Sequence, residues 1–145
     1  MTRPELVEVI PVGEGAGSPV GHWWVTSIER WRDHTAVNYV VWSEEPNFPL
    51  ARAQSPEAGL LYWGVWLADD VGTVYLLRGG GAGTSLHVIA GRQAFEGVIP
   101  PEARSLTVTL FQASHAPDAT AEVLGTIQLP IRPQASPDED PASES

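Results

Sequence analysis

Paired acids are the first side chains in this sequence that could carry chemistry. Asp69 and Asp70 are adjacent, and together with Glu44-Glu45 they offer the carboxylate oxygens that Ca²⁺ prefers. Successive residues of a strand point to opposite faces, so only one of the two aspartates could reach a given ion. The alternative is that Asp70 caps a tight turn by bonding the backbone two residues further on. The sequence favours turn chemistry over a metal site.

The glycine run from Arg78 to Ser85 matches neither of two catalytic patterns. A phosphate-binding loop needs Gly-Lys-Ser/Thr before a helix, whereas this run has no lysine and a strand is expected after it. A nucleophile elbow needs glycine where His87 stands. The four histidines lie in separate segments without metal-ligand spacing, and the absence of cysteine excludes thiolate chemistry. We therefore expect no enzyme, no cofactor and no metal, and interpret the run as a flexible loop between strands.

Tryptophan is the unusual residue type that could carry function, with six in 145 residues. Exposed indoles form sugar-stacking platforms and interface centres, but a sandwich also fills its core with them. Both interpretations stay open, and we expect at least half of the six to be buried. The proline-rich loop from Glu44 to Gly59 is either the rim of a site or a flap closing the core. The predicted partner or ligand surface comprises Trp23, Trp24, Trp42, Phe48, Tyr62 and Trp66.

Strands must position these side chains. The stretch from Leu61 to Ala68 is apolar on both faces, which predicts a central strand covered on both sides or an inner strand whose second face meets a partner. A tight turn at Asp70-Val71-Gly72 should join it to a second strand, forming a hairpin over Leu60 to Arg78. Single helical turns are expected at Ser55-Pro56-Glu57 and around Pro100.

The rest of the chain predicts short strands separated by turn signals. Leu6 to Val12 should end at the flexible segment GEGAGSP, and the residues from Trp23 to Trp31 fit a strand with a bulge, paired with Thr35 to Ser43. Alternation is clearest at Leu106 to Phe111, and a last strand should end at Pro130. About eight strands spaced in this way predict an all-β sandwich over residues 1–131, with a disordered acidic tail at 132–145.

Charge and hydropathy limit the partners. The formal net charge of -10 and the pI near 4.6 repel phosphate backbones and anionic lipids, so we expect no nucleic-acid partner. No segment resembles a signal peptide or a membrane span, which predicts a soluble, cytoplasmic protein without membrane insertion.

Several segments together resemble uncharacterised bacterial immunoglobulin-like β-sandwich domains, most closely the telokin-like and anti-sigma-factor-associated domains of unknown function. The resemblance covers roughly Val25 to Pro130. It is carried by SIERW at 27–31, Trp66 to Tyr75 with its D-x-G-x-x-Y turn, GRQAF at 91–95, and Pro100 to Val108.

This resemblance implies an immunoglobulin-like antiparallel sandwich of about seven to nine strands, with Greek-key connections and at most single-turn helices. It brings no catalytic residues. Many such relatives are extracytoplasmic modules behind a lipoprotein signal or membrane segment, and neither is recognisable here. We expect a protein-interaction or structural module, with a protein partner or homodimer formed through an aromatic sheet face or an edge strand. The alternative is a carbohydrate or small-ligand binding domain.

Overall fold

Residues 5–18, 21–44, 61–114 and 122–132 are described by a computed structural model. These ranges contain antiparallel strands and no helix. The eight strands are β1 (Leu6–Ser18), β2 (Gly21–Trp31), β3 (His34–Trp42), β4 (Leu61–Asp69), β5 (Leu76–Thr84), β6 (Val88–Glu96), β7 (Ser105–Ser114) and β8 (Glu122–Pro130). The prediction of an all-β antiparallel sandwich is confirmed. The predicted tail beyond Arg132 and the predicted helical turn at Ser55-Pro56-Glu57 lie outside the described residues.

The strands form two sheets of unequal width. One has five strands in the order β1-β2-β3-β6-β5, and the other has three in the order β4-β7-β8. With β2 taken as strand A, strands β2 to β8 follow the ABED and CFG order of constant-type immunoglobulin domains. The predicted Greek-key connections are therefore compatible with the structure, and β1 is an additional strand at one edge.

A single apolar core lies between the sheets. Alternate residues of each strand face inward, as the two-residue period requires. The five-stranded sheet contributes Trp23, Val37 and Phe95, and the three-stranded sheet contributes Leu106 and Leu110, all at most 2% exposed. Because the wider sheet has two more strands, part of it extends beyond the sheet that faces it.

The N-terminal half of the five-stranded sheet agrees with the sequence prediction in one respect and departs from it in another. The register between β2 and β3 shifts between Val25 and Ser27, which confirms the predicted bulge. β1, however, does not end at Val12. Its pairing with β2 shifts between Pro11 and Glu14, beside the positive φ of Gly13, and then continues to Ser18. The segment predicted as a flexible loop is held by backbone pairing to β2.

The predicted hairpin over Leu60 to Arg78 is wrong. β4 pairs with β7 in one sheet, and β5 pairs with β6 in the other. The turn at Asp70-Val71-Gly72 exists, with Gly72 at a φ of 85°, but it carries the chain from one sheet to the other. The segment at Pro100 closes as a tight turn through a bond from the Ala103 N–H to the Pro100 C=O, without a helical turn.

Candidate interaction surfaces

The six residues predicted as one surface do not lie together. Trp23 is fully buried between the sheets, above Gly125 of β8, so its prediction as a surface residue is wrong. Its position on β2 faces inward, like that of Val25 two residues later. Phe48 and the side chain of Tyr62 lie outside the described residues. Trp24 and Trp42 belong to one face of the sandwich and Trp66 to the opposite face.

Trp24 and Trp42 lie on the outer face of the five-stranded sheet, and both are partly buried. The Trp24 indole covers Gly15, its cross-strand neighbour on β1, and occupies the space where a Cβ would stand. The ring centroids of His22 and Trp24 lie 6.2 Å apart, and those of His87 and Trp42 lie 6.4 Å apart. Part of the surface of both indoles is therefore covered by contacts within the sheet.

Trp66 is the most exposed indole of the described tryptophan side chains, with 45% of its surface accessible. It lies on the outer face of the three-stranded sheet and stacks on Phe111 at a ring distance of 4.5 Å. Thr109 stands directly opposite it, and Thr126 lies one strand further. β4 is an edge strand of its sheet, and its outer face is exposed at Trp66 and Ala68, so the predicted central strand covered on both faces is wrong.

A polar network crosses the outer face of the five-stranded sheet. The Glu29 carboxylate accepts hydrogen bonds from Arg92 Nε at 3.1 Å and Arg92 Nη2 at 3.0 Å. It also accepts from Asn38 Nδ2 at 2.7 Å and Trp31 Nε1 at 2.8 Å. The Arg92 bonds lower the pKa of Glu29 to about 2, against the opposing effect of partial burial. An ionised Glu29 with this many donors lacks the proton that a general acid would need at neutral pH.

The acids at the turn after β4 hold the chain as it changes sheets. Asp69 Oδ1 accepts from the N–H groups of Val71 and Thr73, both at 3.0 Å, and Asp69 Oδ2 accepts from the Tyr75 hydroxyl at 2.7 Å. Asp70 Oδ1 accepts from the Arg104 N–H at 2.9 Å, next to the start of β7. The predicted turn chemistry is present, although the bond two residues along is made by Asp69 and not by Asp70. Within the described ranges, no three acids or histidines are grouped as metal ligands would be.

One position on the open edge of β4, Val65, is closed by a side chain from the other sheet. Gln93 of β6 points inward, and its Oε1 accepts from the Val65 N–H at 2.9 Å while its Nε2 donates to the Val65 C=O at 2.8 Å. Its amide thereby pairs with the β4 backbone as a neighbouring strand would. Unpaired edge groups invite pairing with another chain, and this contact removes two of them.

The edges at β1 and β8 are blunted by other means. β1 carries Pro11, two register shifts and exposed glutamates, which discourage the addition of another strand. β8 ends at Pro130, and β1 lies beside it. Residues of both strands line a small cavity of about 180 Å³, among them Ile10, Val12 and Leu129.

β5 differs from the other three edges. Every residue from Leu76 to Gly83 is exposed, because this strand lies where the wider sheet extends past the narrower one. Leu76 is 58% exposed and Leu77 is 64% exposed, while Gly79, Gly81 and Gly83 have open space where a Cβ would stand. Arg78 is the only charged residue of the strand and bonds Asp33 at 3.3 Å. Among the described strands, none pairs with the outer edge of β5.

These features have only weak signals in the sequence. The glycine run predicted as a flexible loop is the β5 strand itself, held by regular pairing of Gly79 to Thr84 with β6. Glycine has low strand propensity, so local preference concealed a pairing that tertiary structure supplies. Gln93 carried no signal, since a single glutamine between Arg92 and Ala94 resembles a surface residue.

Comparisons with known proteins leave the chain without an assigned relative. No protein-family model matches it, and neither a curated protein nor a solved structure is significantly similar to it. Within the described ranges, no helix is long and apolar enough to span a bilayer.

Proposed function

We propose that this chain is a non-enzymatic protein-interaction module that pairs the outer edge of β5 with an extended segment of a protein partner. The observation that carries the proposal is the contrast among the four sheet edges. Three are closed or blunted, by Gln93, by Pro11 with its register shifts, and by Pro130 beside β1. Among the described strands, none pairs with the fourth edge, that of β5.

Strand addition suits the chemistry of β5. A partner strand gains affinity from main-chain hydrogen bonds and specificity from alternate side chains. The glycines at 79, 81 and 83 leave room for large partner side chains on the outer face, and Leu76 and Leu77 add apolar contact at one end. The strand needs no catalytic group for this role, and the ionised, fully bonded Glu29 nearby is consistent with a structural network.

Selection of displayed peptides on the immobilised protein tests the proposal. Enriched peptides should lose at least about tenfold in affinity for the Gly81→Lys variant, because lysine on an edge strand opposes strand addition. The Gly17→Lys variant is the matched control, since Gly17 also lies in an edge strand with open space around its Cβ position. Peptides that bind both variants equally would remove the proposal.

Carbohydrate binding is a second candidate, supported by Trp66. Its exposed indole stands in a row with the hydroxyls of Thr109 and Thr126, and sugars are bound by stacking on such rings beside hydrogen-bonding groups. Trp66 lies on the sheet opposite β5, so a Trp66→Ala variant should keep its peptide binding. A change of tryptophan fluorescence on adding a glycan, present in the parent and lost in Trp66→Ala, would favour this candidate.

A further inference from the structure

We infer that the strand that β5 accepts is the β5 strand of a second copy of this chain, so that two five-stranded sheets join as one ten-stranded sheet about a two-fold axis. This inference rests on the proposed function and names its partner. It follows from the way in which β5 complements itself when it is placed antiparallel to its own copy.

Large side chains cover three of the described strand glycines. Trp24 lies over Gly15, Phe111 contacts Gly64 and Tyr39 lies over Gly91. In each case the two residues stand directly opposite each other on neighbouring strands. A glycine paired with an aromatic or large apolar residue keeps a sheet well packed. The outer-face glycines of β5 lack such cover, since their neighbours on β6 include only Ala90, Arg92 and Ala94.

The other end of β5 carries the large apolar side chains that these glycines lack. Pairing with β6 assigns Leu76 and Gly83 to the outer face and Leu77 and Ala82 to the inner face, with one extra residue at Arg78. A two-fold axis at Gly80 then places Leu76 of one copy opposite Gly83 of the other. It likewise places Leu77 opposite Ala82. At both ends of the pairing, a leucine of one copy therefore faces a glycine or an alanine of the other, and this self-complementarity is what an isologous interface requires.

Charge permits this arrangement despite the net charge of -10. Arg78 is the only charged residue of β5, so no carboxylates of the two strands face each other. The two Arg78 residues would stand about 13 Å apart along the strands. That separation exceeds the Debye length of about 8 Å at physiological ionic strength.

Sedimentation velocity with charge-swapped variants tests the inference. An interface of one strand pair lies at the small end of the size range, so we expect self-association with a Kd on the order of tens of micromolar. Gly81 has open space, and a side chain at 81 would become a diagonal neighbour of its own copy, about 7 to 8 Å away. Gly81→Lys and Gly81→Glu should each sediment as monomers, and an equimolar mixture of the two should form dimers again.

The mixture guards against misfolding, because two unfolded variants would not restore a dimer. Gly17→Lys should dimerise like the parent chain. A parent chain that stays monomeric up to about 300 μM, above the range expected for so small an interface, would overturn the inference. So would a dimer that both Gly81 variants preserve. If the parent is monomeric but displayed peptides still distinguish Gly81→Lys, the proposed function stands and only the second copy is excluded. If the parent is monomeric and no displayed peptide distinguishes the variants, both the proposed function and the second-copy inference are excluded.

Discussion

Glu29 shows how one carboxylate can organise the outer face of a sheet. It lies on β2, and its partners Asn38 and Arg92 lie on the two strands beyond, so its hydrogen bonds cross three strands. The glutamate side chain is only 16% exposed, which strengthens its interaction with the guanidinium relative to a fully solvated pair. Such a network fixes strand positions without forming a reactive centre.

Replacing Glu29 by Gln should make the free energy of unfolding less sensitive to a fall in pH. The folded-state pKa near 2 lies below the ordinary value of 4.5, so the carboxylate contributes stability above about pH 4.5 and loses it as pH falls towards 2. We expect Glu29→Gln to cost about 1.5 to 3 kcal/mol at pH 7, as for hydrogen bonds to charged groups. Urea unfolding at several pH values measures the difference, which should shrink towards pH 2. A difference independent of pH, or one equally large for the exposed Glu96→Gln control, would contradict this account.

Among the elements, the four edge strands determine where another strand can pair with the sandwich. β4 and β5 are consecutive along the chain and belong to different sheets, yet only β4 has its edge closed from across the core. The Gln93 amide reaches β4 because β6 lies near it at the margin of the narrower sheet. Beyond that margin β5 continues the wide sheet, and none of the described strands faces it.

The Gln93→Leu substitution should therefore destabilise the fold far more than the similar size of the two side chains suggests. It leaves the Val65 N–H and C=O buried without partners, and each such group costs about 1 to 3 kcal/mol, so we expect a loss of about 2 to 6 kcal/mol. Chemical denaturation measures it. Gln128→Leu, at an exposed glutamine of β8, should stay within about 0.5 kcal/mol of the parent. Similar small effects in both variants would show that the amide pairing contributes little.

Local pattern predicted the strands of this chain well and their partners poorly. Alternation identified β7, and irregular alternation identified the bulge of β2, because side-chain period is a local property. The change of sheet after β4 is accompanied by a bond from the Arg104 N–H to Asp70, 34 residues away. No local period encodes that bond. The exposure of the tryptophans was equally hidden, since β2 and β4 carry aromatic residues on both faces and burial depends on which sheet stands opposite.

At the scale of the whole molecule, the mismatch between a five-stranded and a three-stranded sheet is the feature with the widest consequence. It gives the sandwich one margin where a strand is held by a single row of hydrogen bonds and is exposed on both faces. A second copy at this margin would cover β5 only in the native state. Anything that binds the native state and not the unfolded chain stabilises folding, so dimerisation and folding should be linked.

That linkage predicts a melting temperature that depends on protein concentration. Above the dimer Kd, each tenfold increase in concentration should add about 0.7 kcal/mol per protomer, because two chains share one association step. For a chain of 145 residues this raises Tm by about 2 °C. Differential scanning fluorimetry from low to high micromolar protein measures the slope. Gly17→Lys should keep it and Gly81→Lys should abolish it, since only the second residue lies on the pairing edge. An equal slope in Gly81→Lys would place self-association elsewhere on the molecule. A flat parent curve would mean that β5 does not meet its own copy at these concentrations, because an interface that buries native surface must raise the stability of the native state.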